Sequence, residues 1–387
     1  MSVAAPPHRD GLQAVRLFLC GDVMIGRGVD QILPSPCPPQ LYEEYVSSAQ
    51  EYVRLAEAAS GPIPRPVDLS YIWGATLDEL RAYAPDARII NLETSVTRSE
   101  TAEHKAINYR VSPQNAECLR VAGVDCCALA NNHVLDWGRS GLLETLATLE
   151  RLRIAVAGAG RTIDDARRAA ILKIPGKGRV VVLSFALPDG GTPLDWAATT
   201  DSPGVSLLPD LSSESAAIAC DLARSAAQPG DVLVVSIHWG SNWGYRVSDA
   251  QRRFAHRLIE DGGACVVHGH SSHHPKGFEI FRNRLILYGC GDFLNDYEGI
   301  SGYESYRGDL SLMYFADIDV TRGELTELRL VPLQMRRLRL EQASAADAEW
   351  LARTLDRECA PFGVRVHRNL DGALTASWRR ACAPRRS

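Results

Sequence analysis

Cys126-Cys127-Ala128-Leu129-Ala130-Asn131-Asn132-His133 decides how this chain is read. An apolar run this short, ending abruptly in polar residues, has the signature of a fully buried strand rather than an amphipathic helix. The polar residues at its end carry chemistry. An Asn side-chain oxygen can ligate a metal, and the adjoining His can donate or accept a proton. Asp136, three positions on, can hold the His133 ring through its second nitrogen. The competing structural reading is a turn with a left-handed Asn and a helix cap.

The same grammar recurs along the chain. Val15-Arg16-Leu17-Phe18-Leu19-Cys20 leads into Gly21-Asp22-Val23-Met24-Ile25-Gly26-Arg27, and Ala87-Arg88-Ile89-Ile90 leads into Asn91-Leu92-Glu93-Thr94. Apolar runs over 231–237, 264–267 and 285–288 open onto His238-Trp239-Gly240, His268-Gly269-His270 and Gly289-Cys290-Gly291-Asp292. Between them, 141–154 and 249–261 carry apolar residues at helical spacing. Strands alternating with helices predict an α/β architecture, with functional groups collected beyond the strand ends.

The pattern places Asp22, Glu93, Asn132, His133, His238 and His270 at such ends. One Asp or Glu at a corner is ordinary turn or cap chemistry. Three imidazoles, two carboxylates and an amide oxygen at separate corners match the oxygen and nitrogen donor set of a divalent cation. His268-Gly269-His270-Ser271-Ser272-His273-His274 adds further imidazoles. Of these, His270 and His273 are the candidates for the site, and His268 and His274 read as structural. Trp239 and Trp243 are either an apolar substrate wall or core aromatics. Asp292, Asn295, Asp296, Tyr297 and Glu298 form a last polar corner, where Asp292 is a candidate acid or base.

The bulk numbers bound the class. The 387 residues, 45% hydrophobic and 23% charged, suffice for a large core and exclude wholesale disorder. A net charge of −5 without a concentrated basic face gives no case for nucleic-acid binding. No apolar stretch approaches the length of a membrane span, and residues 1–11 lack a signal-peptide core, so a cytoplasmic protein without a membrane partner is expected. The ten cysteines include no C-x-x-C pair, and most sit in apolar runs, which predicts buried reduced thiols.

Residues 1–14 are expected to be disordered, 15–335 to form the main domain, and 336–387 to supply a helix over 344–357 and a basic tail. Proline-rich flanks mark 31–66 as an insertion over the site, with a helical centre over 41–59.

The corner motifs, in order, resemble the CapA-like (poly-γ-glutamate capsule synthesis) proteins, a branch of the calcineurin-like metallophosphoesterases. Those motifs are Gly21-Asp22-Val23-Met24, Asn91-Leu92-Glu93, Asn131-Asn132-His133-Val134-Leu135-Asp136, His238-Trp239-Gly240, Gly269-His270-Ser271-Ser272-His273 and Gly289-Cys290-Gly291-Asp292. The resemblance spans roughly 15–335 and implies a four-layer α/β/β/α sandwich. It implies Asp22, Glu93, Asn132, His238 and His270 as ligands of one or two divalent ions (Mn, Ca, Mg, Fe or Zn), and His133 as the catalytic histidine. His273 stands at the family's final histidine position. Met24 departs from the pattern, because the usual Asp-x-His would place a ligand there. Glu93 replaces the usual bridging Asp.

The resemblance leaves three functions open. Similarity to the lasso-peptide epimerases of this family favours acid/base proton exchange at a peptide α-carbon, using His133, His273 or Asp292 with Asp136 in support. The alternatives are metal-dependent hydrolysis of a phosphoester or an amide or γ-glutamyl bond, and a non-catalytic role in capsule assembly. A peptide is the expected substrate; oligomeric state is not legible in the sequence.

Overall fold

Alternation within the first strand builds the layers. In Ala14–Val23, the side chains of Val15, Leu17 and Leu19 join one buried cluster, and those of Phe18 and Cys20 join another on the opposite face. The period of two sends successive residues to opposite sides of a sheet. Ile89 and Ile90 divide in the same way, as do Cys126 and Cys127. The computed structural model describes residues 13–380.

A ten-stranded sheet runs in the order Val364–Arg368, Leu374–Trp378, Glu324–Arg336, Leu310–Asp319, Ala14–Val23, Ala87–Leu92, Cys126–Ala128, Ala155–Ala157. Asp292–Leu294 pairs with Ala14–Val23 off this path, and Arg339–Gln342 pairs with Glu324–Arg336. A six-stranded sheet runs Phe278–Phe281, Arg284–Leu287, Val266–His270, Val232–His238, Gly178–Ala186, Ala170–Ile174. The first cluster fills the space between the two sheets and continues beneath helices Ser213–Ala226 and Asp249–Glu260. The second lies under Thr76–Tyr83, Glu117–Val121 and Gly138–Arg151 on the far face of the larger sheet. The order is therefore helix, sheet, sheet, helix: the α/β/β/α sandwich expected.

The centres of both sheets are parallel, and parallel strands covered on both faces read as near-continuous apolar runs. Helix Asp249–Glu260 starts at a capping box in which Ser248 and Gln251 satisfy each other's backbone donors. All nine described cysteines are free and buried. Among the described residues no helix is long and apolar enough to cross a membrane.

Three local expectations are corrected. Within 31–66, past the end of helix Arg27–Ile32, the helix is Gln50–Ser60 rather than 41–59, because the preceding stretch closes as a loop through a Gln40↔Ser48 bridge that carries Glu43 to Arg27. Beyond helix Ala345–Cys359, the chain adds the hairpin Val364–Arg368 and Leu374–Trp378 to the edge of the large sheet. Val364 and Leu374 are fully buried there, whereas the outward residues are polar and mask the strand signal. Ala14 already belongs to a strand, and the rest of the expected disordered N-terminus (1–12) lies outside the described residues, as does the tail from 381 onward.

Gly21 fixes how closely two strand ends approach. A Cβ there would lie 1.6 Å from the Gly291 carbonyl oxygen, which accepts a hydrogen bond from the Asp22 amide at 3.1 Å. Only a bare backbone lets Asp292 stand opposite Asp22 in register. Gly21→Ala is expected to destabilise the protein by about 3 kcal/mol, since overpacked backbone has nowhere to move; chemical denaturation of the variant against the parent measures it.

Candidate metal centre

Strand register delivers the donors. On the larger sheet Asp22 is aligned with Asn91 on one side and Asp292 on the other. On the smaller sheet His238 is aligned with His270. Within each sheet these central strands run parallel, and the donors at their ends meet in a buried cluster between the sheets.

Asn91 organises the carboxylates. Its Nδ2 donates to Asp22 Oδ1 at 2.8 Å and to Glu93 Oε2 at 2.9 Å. Its own oxygen accepts from Asn131 Nδ2 at 3.0 Å, while Asn131 Oδ1 accepts from the His133 and Val134 amides. Sequence reading assigned neither Asn a role. The available signal was spacing: Asn91 and Glu93, two apart on a strand, share a face. Asp22 Oδ2 further accepts from the Ser271 amide at 3.2 Å.

Asp22, His238 and His270 each offer a ligand atom within 4.8 Å of the others. Asp22, His273 and Asp292 do the same, so Asp22 is common to both groups. Glu93 Oε2 lies 3.8 Å from His238 Nδ1, and Glu93 Oε1 lies 3.9 Å from His133 Nε2. Asn132 Oδ1 and His238 Nε2 are buried without a hydrogen-bond partner. Orphaned buried polar atoms and buried carboxylates at the same strand ends are what a cation would satisfy. The donors fit such an ion.

The electrostatics agree. Burial, then the neighbouring Asp292, pushes the Asp22 carboxyl up to about 7. Burial, then Asp22 and Asp292, drives Glu93 well above the usual carboxylate range. Burial holds His238 and His270 well below theirs, which leaves neutral imidazoles suited to ligation.

Two His–carboxylate dyads reach the cleft. His133 Nδ1 meets Asp136 Oδ2 at 2.6 Å, and Lys105 bonds Asp136 Oδ1 at 2.8 Å and the Asn132 carbonyl. Burial outweighs Asp136 and lowers His133 to about 4. His273 Nδ1 meets Asp292 Oδ1 at 2.8 Å, with Asn295 Nδ2 donating to Asp292 Oδ2 at 2.9 Å. Burial works to lower His273, but the charge and hydrogen bond of Asp292 leave it raised. Tyr109 and Tyr297, whose hydroxyls are 2.7 Å apart, set their ring edges against His133 and His273 respectively.

Of the candidate residues, Asp22, Glu93, His133, His238, His270, His273 and Asp292 are linked by these short distances, Asp136 joins through His133, and Asn132 lies beside His133 with its carbonyl bound by Lys105. His268 and His274 point elsewhere, to the Cys20 carbonyl and to the Gly244 amide and Pro275 carbonyl. Trp239 is core, donating to the Tyr288 carbonyl, whereas Trp243 lines a cavity. Met24 is fully buried and receives the Tyr297 hydroxyl at 3.7 Å.

Comparison with known proteins adds names. A family model described as "Bacterial capsule synthesis protein PGA_cap" matches residues 16–297. A "Probable polyglutamine synthesis accessory protein" of Mycobacterium tuberculosis is 47% identical over 364 residues, 93% of this chain and 95% of that one. The "Capsule biosynthesis protein CapA" of Bacillus anthracis is 25% identical over 298 residues, 76% of this chain and 63% of its own length. Among solved structures, a phosphatase from Mycoplasma pneumoniae aligns with 86% of this chain and 96% of its own, at a TM-score of 0.44 and 9% identity.

The buried histidines make the fold acid-sensitive. Burial lowers His268 and His274 to about 4, against about 6.5 when unfolded. Below neutrality the unfolded chain takes up protons that the folded chain refuses, so stability is complete above about 6.5 and falls as pH drops toward 4. Melting in chelator is expected to drop by several degrees between pH 7 and pH 5, and His268→Gln should flatten part of that slope in a calorimetric pH series.

Proposed function

We propose a function from this premise: the chain belongs to the PGA_cap family of bacterial capsule synthesis proteins, and its strand-end cluster holds a divalent cation used to hydrolyse amide bonds. Asp22, Glu93, Asn132, His238 and His270 are the ligands in this reading. The observation that carries it is the burial of Asn132 Oδ1 and His238 Nε2 without partners, with Asp22 and Glu93 buried at the same strand ends and both held above the usual carboxylate range. The substrate is taken from the relatives: a glutamine- or glutamate-based polyamide, trimmed or released as its synthesis machinery makes it. The partner is that machinery. The free buried thiols support a reducing, cytoplasmic setting.

A bound divalent cation supplies Lewis acidity toward the scissile carbonyl and the attacking water. The chain's own residues supply the proton traffic. Asp136 accepts from His133 Nδ1–H, leaving a neutral Nε2 aimed at the Glu93 side of the cleft. Nε2 takes the proton of the attacking water as the carbon–oxygen bond forms. It returns that proton to the leaving nitrogen as the carbon–nitrogen bond breaks. Lys105 holds Asp136 so that the ring cannot turn away.

One observation favours a second reading, epimerisation of a peptide residue. The His273–Asp292 dyad gives a second acid/base group from a different corner of the cleft. One dyad would remove the α-proton and the other deliver it to the opposite face.

Short glutamine and glutamate oligomers incubated with protein and Mn²⁺ in deuterated water separate the readings by mass. Cleavage is expected, lost on chelation. Deuterium gain at an α-carbon without cleavage would establish epimerisation, and neither change would leave an accessory role. His133→Ala should lower kcat by about 10²- to 10⁴-fold, with Mn²⁺ affinity by calorimetry nearly unchanged. His238→Ala should instead weaken Mn²⁺ binding by about tenfold or more, judged by the loss typical of even the outer partners of a metal.

A further inference from the structure

Beside His273 lies a cavity of about 520 Å³, within the size range of small-molecule and side-chain sites. Its apolar walls are Tyr52, Ile107, Trp243, Ile300, Tyr303 and Met335. Trp243 stacks on Tyr303 at 4.0 Å with nearly parallel planes, so a rigid aromatic wall stands next to the candidate centre.

Its charges are distinctive. The two arginines that line it are already saturated. Arg27 gives Nε and Nη2 to Asp296 and Nη1 to Glu43 and the Tyr52 hydroxyl. Arg307 gives Nε and Nη2 to Asp309 and Nη1 to Asp347. His273 is engaged by Asp292. The remaining charged groups of the lining, Glu298, Glu304 and Asp309, are acidic. Glu298 is held at the cavity wall by the Leu338 amide, which donates to its Oε2 at 3.2 Å.

Resting on the polyamide reading above, we infer that this cavity is the substrate-recognition pocket, and that it selects an uncharged, carboxamide-bearing chain over a polycarboxylate. A carboxylate entering it meets no unpaired cation among the described lining residues and is repelled by Glu298 and Glu304. An uncharged carboxamide chain escapes that repulsion, and its methylene stem packs on Trp243 and Tyr303. Like-charge juxtaposition suppresses the wrong ligand and is the source of this discrimination.

Calorimetry of the full-length His133→Ala chain, in which hydrolysis is blocked, compares short glutamine and glutamate oligomers of equal length. The glutamine oligomer should bind at least about tenfold tighter, as expected when the rival presents like charges. Glu298→Gln should narrow that ratio to a few-fold by admitting the glutamate oligomer, and Trp243→Ala should weaken the glutamine oligomer. Equal or tighter binding of the glutamate oligomer, or a ratio unmoved by Glu298→Gln, overturns the assignment. Because binding is read without turnover, preferential glutamine binding by a protein that cleaves neither oligomer would sink the hydrolytic reading and leave this one standing.

Discussion

Asp22, Glu93 and Asp292 are buried side by side, and a buried carboxylate is among the most destabilising groups a fold can hold unless something compensates it. The surrounding architecture is arranged around that penalty. Asn91 directs both amide hydrogens to Asp22 and Glu93, Asn131 holds Asn91 in place, and the Ser271 amide and Asn295 take up oxygens on either side. These donors are neutral. They orient the carboxylates without neutralising them; Lys105 is committed to Asp136 and His273 to Asp292. A residual demand for positive charge is therefore built into the cleft.

The sandwich meets the geometrical half of the same demand. Carboxylates come from the larger sheet and imidazoles from the smaller, so the two sets face one another only because both sheets end at the same level. The inter-sheet core of Val15, Leu17 and Leu19 against Val182, Val234 and Val266 fixes that level. A slip of one residue in either central strand would turn its ligand into the core. The site's precision is thus a property of strand register, not of any loop.

Much of this was legible because parallel strands buried on both faces write themselves as unbroken apolar runs that stop where the chemistry begins. Val232–His238 and Val266–His270 end on the very residues read as ligands. What escaped was information that a sequence does not hold locally. The hairpin Ala170–Ile174 with Gly178–Ala186 ends on no chemistry-bearing side chain, and no corner motif drew attention to it. Asn91 looks like any strand-end polar residue until its two partners are seen. The cavity wall joins Tyr52, Trp243 and Tyr303 from three distant segments, and the pairing of Arg27 with Glu43 and Asp296 exists only in the folded chain. Counting arginines near the site would have suggested an anion pocket; counting their partners reverses the sign.

Met24 bears on the same point. Read as a missing ligand, it implies a depleted centre. The structure places other donors beside Asp22: Asp292, on a short parallel strand that Gly21 alone allows to approach, and His273, from the corner after Val266–His270. Met24 meanwhile packs in the core and accepts the hydroxyl of Tyr297, a residue of the loop that carries the cavity wall. Met24 therefore leaves Asp22 with donors from two other corners: Asp292 on the strand paired with it, and His273 after Val266–His270. The Asp292–Leu294 strand leads directly into the loop of Tyr297 and Tyr303. A ligand pressing on that loop would act on Asp292, and through the Asp292–His273 pair on His273, along a few residues of continuous backbone and one hydrogen bond.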